Sequence, residues 1–173
     1  MRVETIEATI EAWRKDPEKA LGAPVVTARA DESQAVIQAG PFTWRADLPP
    51  ALGGTNEAPS PTALLLGALA GCAVVFVRDT LAPQLGVRVD ALEAAVRCET
   101  DARGLLGMDG AEPNLRNISL EVTVQSPDGD TGVNKIAETW QQRCPIYLAL
   151  VNPIDVAVQF RTAISGAALA SSS

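Results

Sequence analysis

The sequence predicts an α+β fold, and three observations lead there. Short apolar runs divided by turn residues come first, a long uncharged helix follows, and a strictly alternating strand lies beyond it. Strands and helices are therefore grouped rather than interleaved, which argues against a parallel, doubly wound sheet.

Taken in order, Val3, Ile6, Ile10 and Trp13 recur at helical spacing with Glu4, Glu7 and Glu11 on other faces. An amphipathic helix is predicted from about Arg2 to Lys15, ended by "KDPEK". The runs "PVVTARA", "SQAVIQA" and "FTWRADL" are separated by "ADES" and "AGP". That pattern predicts an antiparallel meander. The loop "PPALGGTNEAPSP" leads into a helix for which Ser60 is a suitable N-cap and Pro61 a suitable first residue. Pro83 and Gly86 are predicted to end that helix. A strand is expected in "VRVDALEAAVRCET", then the Gly-rich excursion "DARGLLGMDGAEPN". In "NISLEVTVQ", Ile118, Leu120, Val122 and Val124 alternate with polar partners, a half-buried strand. Val133, Ile136, Ala137, Trp140 and Cys144 then mark a second amphipathic helix. Pro145 opens a further helical turn, "PIDVAVQF" reads as a last strand, and a tail from about residue 165 to 173 is expected to be weakly ordered. One domain spanning residues 1–173 is expected, without repeats.

Composition excludes several functions. The formal charge is −7 with no basic block, which disfavours nucleic acid and anionic membranes as partners. The uncharged run from Ala58 to Val77 has an apolar part of about 15 residues, short of the roughly 20 a bilayer span needs. A buried helix is expected instead. The N-terminal stretch lacks the apolar core of a signal peptide, so a cytoplasmic location is expected. The chain holds no histidine, which removes Ser-His-Asp triads, Cys-His pairs, proximal-His haem and His-rich metal sites together. Three cysteines without a C-x-x-C pair offer neither a disulfide framework nor a convincing zinc site. No cofactor is called for. Thiols, carboxylates, Arg and Lys remain to carry chemistry.

Cys72 sits about ten residues into the apolar helix. An ordinary thiol is roughly 3% ionised at pH 7, and apolar surroundings lower that fraction. Read alone, Cys72 is a small core residue. A reactive role requires a cation aimed at the sulfur and a second thiol nearby. Cys144, in "QQRCPIYLAL", follows Arg143 and precedes a helix-opening Pro, so it is placed as an N-cap where the helix dipole favours thiolate.

The segments "LGGTNEAPSPTALLLGALAGCAVVFVRDTLAPQLGVRVDALEAAV", "NISLEVTV" and "CPIYLAL" together resemble the osmotically inducible protein C and organic hydroperoxide resistance (OsmC/Ohr) family. The resemblance runs from about Ala46 to Phe160, and its most specific parts are "PSPTALLLGALAGC" and "RCP". It implies an intertwined α+β homodimer in which antiparallel sheets wrap two central cysteine-bearing helices. It also implies a thiol peroxidase for organic hydroperoxides, with Cys72 as the peroxidatic and Cys144 as the resolving residue. Their disulfide would be reopened by a dithiol reductant such as a lipoylated protein. The family's Glu that orients an activating Arg is matched here by Thr62, which cannot hold a guanidinium by a bidentate ionic contact. Glu57 is the possible substitute, and Arg45 or Arg29 the possible Arg. Weaker peroxidase activity than the family's best is therefore expected. Cys98 is read as a core thiol, and Trp13, Trp44 and Trp140 as packing residues, with Trp140 also a candidate pocket wall. Two other readings stand beside the enzyme: a non-catalytic binding protein for a hydrophobic small molecule, and an inert structural dimer.

Overall fold

A computed structural model describes residues 2–152 and 154–162. Helix α1 (Arg2–Lys15) precedes the meander of β1 (Thr27–Asp31), β2 (Gln34–Ala39) and β3 (Phe42–Ala46). After a loop come α2 (Pro61–Phe76), a wide turn at Val77–Leu81, and α3 (Ala82–Leu85). Strand β4 (Ala91–Glu99), short α4 (Ala102–Leu105), β5 (Arg116–Gln125), α5 (Gly129–Arg143) and α6 (Pro145–Val151) complete the described chain. The result is a mixed α+β fold with two antiparallel sheets, ordered β1-β2-β3 and β4-β5.

The register of the first sheet sorts its side chains by chemistry. Arg29 lies across from Val36 and Val36 across from Arg45, so these share one face with Asp31 and Gln34. Ala28, Ile37 and Trp44 line the other. Among the described residues nothing seals that apolar face, and Phe42 at its rim is 70% exposed.

Helix α2 begins as its sequence dictates. The Ser60 hydroxyl oxygen accepts from the Ala63 N–H at 3.2 Å, and Pro61 occupies the first turn. Its end differs from expectation, because Pro83 does not stop it. The Ala82 N–H reaches back to the Val77 carbonyl, one residue further than an α-helix allows. Pro83, which has no N–H to give, is accommodated just beyond that widened turn. Gly86, left-handed at φ 67°, closes the stretch. Helical residues thus run from Pro61 to Leu85, 25 in all, which by length and composition alone suffices to cross a membrane. Here β4, α5 and α6 cover one side of it. Leu69, Ala73, Val77 and Leu81 pack there with Ile136 and Trp140 of α5 as the core. The opposite side presents Ala63, Gly67, Gly71 and Val75, with open space over both glycines.

In the second sheet Leu92, Ala94 and Val96 face Val124, Val122 and Leu120, as the alternation predicts. The ladder is irregular between Arg97 and Glu99, and Cys98 at that bulge is half-buried.

The expected last strand is corrected. Pro153 lies outside the described residues, and residues 154–160 form no ladder; Ile154, Val156, Val158 and Phe160 are all exposed. Alternation fixes which side chains share a face, but a strand also needs an edge to pair with, and the backbone here is paired with neither β4 nor β5. The tail expected from residue 165 to 173 lies outside the described residues.

Candidate dithiol site

Cys72 lies on α2 next to Ala73, which is wholly buried, and is itself half-buried. Cys144 is wholly buried at a junction. Its N–H donates to the Trp140 carbonyl at 2.8 Å, ending α5, and its carbonyl accepts from the Leu148 N–H at 3.0 Å, beginning α6. Its sulfur accepts from the Tyr147 N–H at 3.4 Å, so the residue is the N-cap that the Cys-Pro step predicts. The two sulfurs, 72 residues apart in sequence, stand 2.8 Å from each other as free thiols. No intervening residue separates them, so a bond between them needs no large movement.

The surroundings oppose a thiolate on Cys72. Burial pushes its thiol up to about 12, and the neighbouring Cys144 thiol pushes the same way; the Ile146 N–H acts weakly in the opposite direction. Among the described residues no arginine is a group acting on that sulfur.

The other predicted site residues form a separate cluster. Arg45 Nη2 donates to Asp31 Oδ2 at 2.8 Å, and Arg45 Nη1 donates to Gln34 Oε1 at 2.9 Å. Gln34 Nε2 in turn donates to Glu57 Oε2 at 3.3 Å. Among the described residues Glu57 therefore meets Arg45 through Gln34, and Asp31 supplies the carboxylate that holds the guanidinium. Arg29 shares the face with Arg45 but takes part in no such contact. Arg45, Glu57, Leu64 and Ala68 line one groove, and Ala68 lies one helical turn before Cys72. Thr62 sits half-buried in the first turn of α2. Arg143, beside Cys144 in sequence, donates to Gln84 at 3.0 Å. Among the described residues no cluster of His, Cys, Asp or Glu is suited to hold a metal ion.

The sequence model of the family described as OsmC-like protein matches residues 54–159, which span both cysteines. The chain belongs to the OsmC-like family. Solved structures with the same fold include an OsmC-like protein from Mycoplasma pneumoniae at 24% identity and a TM-score of 0.63, covering 75% of this chain and 87% of that one. A putative osmotic stress induced and detoxification response protein from Psychrobacter arcticus is 18% identical with a TM-score of 0.60, covering 77% and 91%. An organic hydroperoxide resistance protein OsmC from Legionella pneumophila is 16% identical with a TM-score of 0.57, covering 76% and 90%. No curated protein matches the chain.

In this OsmC-like chain the residue that sequence reasoning missed is Asp47. It is buried, and its carboxylate accepts from the N–H groups of Leu48, Thr55 and Glu57 and, at 2.6 Å, from the Thr55 hydroxyl. Those donors hold its pKa far below the ordinary carboxylate value, the Thr55 hydroxyl most of all. Asp47 thus fixes the loop that carries Glu57 and launches α2. Gly54 belongs to the same knot, since a Cβ there would overlap the Leu48 carbonyl. Asp47→Ala strands several donors, so the thermal midpoint is expected to fall by at least about 5 °C. Because the folded pKa is depressed, Asp47 contributes fully above pH 3.8, and that contribution is lost as pH falls below it. The gap between wild type and Asp47→Ala in thermal melts should therefore narrow below that pH. An equal gap at pH 7 and pH 3 would show that the ionised carboxylate is not what stabilises the loop.

Proposed function

We propose that this OsmC-like chain is a thiol peroxidase that reduces organic hydroperoxides and works as a homodimer. The observation that carries the reading is the 2.8 Å approach of Cys72 to Cys144. The Cys72 thiolate attacks the terminal peroxide oxygen, the O–O bond breaks, and the alkoxide leaves as the alcohol after taking a proton. Cys72 is then a sulfenic acid. The Cys144 sulfur attacks the Cys72 sulfur, water departs with the hydroxyl oxygen, and a disulfide remains. A dithiol reductant, for which a lipoylated protein is suited, exchanges with that disulfide and restores both thiols. The reducing cytoplasm is the compartment in which such a cycle turns over. The 16%-identical Legionella protein bears an organic hydroperoxide resistance name, and the family match makes that chemistry the first to test.

A second copy is supported by what one chain leaves uncovered. The side of α2 with Gly67 and Gly71 is open, the apolar face of the first sheet is unsealed, and Ile154, Val156, Val158 and Phe160 are exposed. A homodimer buries such surfaces.

The second reading, a binding protein for a hydrophobic small molecule that leaves the dithiol idle, is favoured by one observation. The Cys72 thiol is raised, and among the described residues no arginine acts on it. One experiment separates the two readings. Reduced protein receives one equivalent of cumene hydroperoxide, and free thiols and intact mass are measured. Peroxidase chemistry gives loss of two thiols and about 2 Da, absent in Cys72→Ser, while Cys144→Ser accumulates a trappable sulfenic acid. Three unchanged thiols would reject the enzyme and leave the binding protein.

A further inference from the structure

The β1–β2 hairpin turns on two residues, Glu32 and Ser33, so Asp31 and Gln34 stand opposite each other at its tip. Both side chains lie on the sheet face that carries Arg45. The guanidinium reaches across β2 to meet them, donating to the Asp31 carboxylate at 2.8 Å and to the Gln34 amide oxygen at 2.9 Å. Gln34 also ties this cluster to the loop before α2 by donating to Glu57 at 3.3 Å. Arg45 is thereby turned toward the hairpin tip, although it lines the groove whose other wall includes Leu64, Gly67 and Ala68 of α2. Cys72 stands one turn beyond Ala68, about 6 Å along the axis and on the same helix face. A cation thus lies within about a turn of helix of the sulfur's level but is committed to a carboxylate. The commitment is weak. The Arg45 and Asp31 side chains are 50% and 38% exposed, and an ion pair so wetted is easily displaced by another anion.

We propose that Asp31, backed by Gln34, is a latch on Arg45: a positioning residue that keeps the guanidinium off Cys72 until a thiolate there draws it along the groove. With the latch closed, burial and the Cys144 thiol govern Cys72, and both oppose its ionisation. With the latch open, Arg45 pairs with the Cys72 thiolate, whose proton has passed to water, and the charge-assisted contact favours that form. Asp31 and the thiolate therefore compete for one cation. Glu57 is the other carboxylate of the groove, and Arg29 the other cation of the sheet face. The inference rests on the peroxidase reading for what the thiolate goes on to do, and not for how it is restrained.

The test follows alkylation of Cys72 by iodoacetamide between pH 7 and 10 on the full-length reduced chain. No peroxide is present, so failure here leaves the peroxidase reading to be decided by the cumene hydroperoxide experiment. Asp31→Asn combined with Glu57→Gln removes the carboxylates that hold Arg45 directly and through Gln34. Cys72 should then react about fivefold faster at pH 8, its profile moving about 0.7 of a unit to lower pH. Adding Arg45→Met should restore the wild-type rate. Asp31→Glu alone keeps a carboxylate at the hairpin tip and should also react as wild type does. The substituted side chains are exposed or half-buried, so these variants are expected to fold. An unchanged rate in the Asp31→Asn, Glu57→Gln variant would overturn the proposal, as would acceleration by Asp31→Glu. A rate that stays fast after Arg45→Met would overturn it too, because the loss of two negative charges, and not a freed arginine, would then account for the gain.

Discussion

Raising the pH from 7 to 10 is expected to speed alkylation of Cys72 by iodoacetamide about tenfold per unit, roughly a thousandfold in all, without a plateau. The thiolate is the nucleophile, and burial together with Cys144 pushes the Cys72 thiol up to about 12, so every added unit of pH still converts thiol to thiolate. Peptide mapping by mass spectrometry separates Cys72 from Cys144 and Cys98. Stability moves the opposite way with pH. A group protonated in the fold and raised above its ordinary 9.0 stabilises the fold below that value and ceases to do so as pH climbs beyond it. Cys144→Ser removes the neighbouring thiol that contributes to the rise but leaves burial in place. Its alkylation curve should therefore shift to lower pH while Cys72 stays slower than a free thiol. A wild-type plateau below pH 9 would mean that a cation reaches the sulfur in solution, and Arg45 would be the first residue to substitute.

Oxidising the reduced protein with diamide is expected to stabilise it by about 4 kcal/mol against urea. A link between residues 72 apart removes that much closure entropy from the unfolded chain, and the sulfurs already stand close enough that the fold need not rearrange. For a chain of this size the matching rise in thermal midpoint is about 10 °C. The oxidised sample should be about 2 Da lighter, and Cys98→Ser should behave as wild type does. An oxidised sample with the mass change and no gain in stability would show that forming the bond distorts the helices it joins.

The parts of this fold that are legible in the sequence are those governed by local chemistry. Ser60 and Pro61 start α2 because an N-cap and a first-turn proline act within four residues. Cys144 caps α6 for the same reason. The meander and the Leu120–Val124 face follow from a period of two. What escaped depends on partners distant in sequence. Asp47 collects donors from Leu48, Thr55 and Glu57, an arrangement with no spacing signature. Asp31 and Gln34 hold Arg45 because of strand register, which composition does not announce. The exposed stretch from Ile154 to Phe160 carries the pattern of a strand, but a pattern specifies a face and not a neighbour. The pairing of Cys72 with Cys144 is implied by the family resemblance, since nothing local to either residue points to the other.

The wide turn at Val77–Leu81 has an evolutionary reading as well as a steric one. A helix step of five where four is usual is equivalent to one inserted amino acid, absorbed without breaking the rod. Homologues whose rod is regular here would be one position shorter inside a helix, where alignments ordinarily forbid gaps. Aligning them without that gap would misplace every residue from Ala82 onward by a rotation of about 100°.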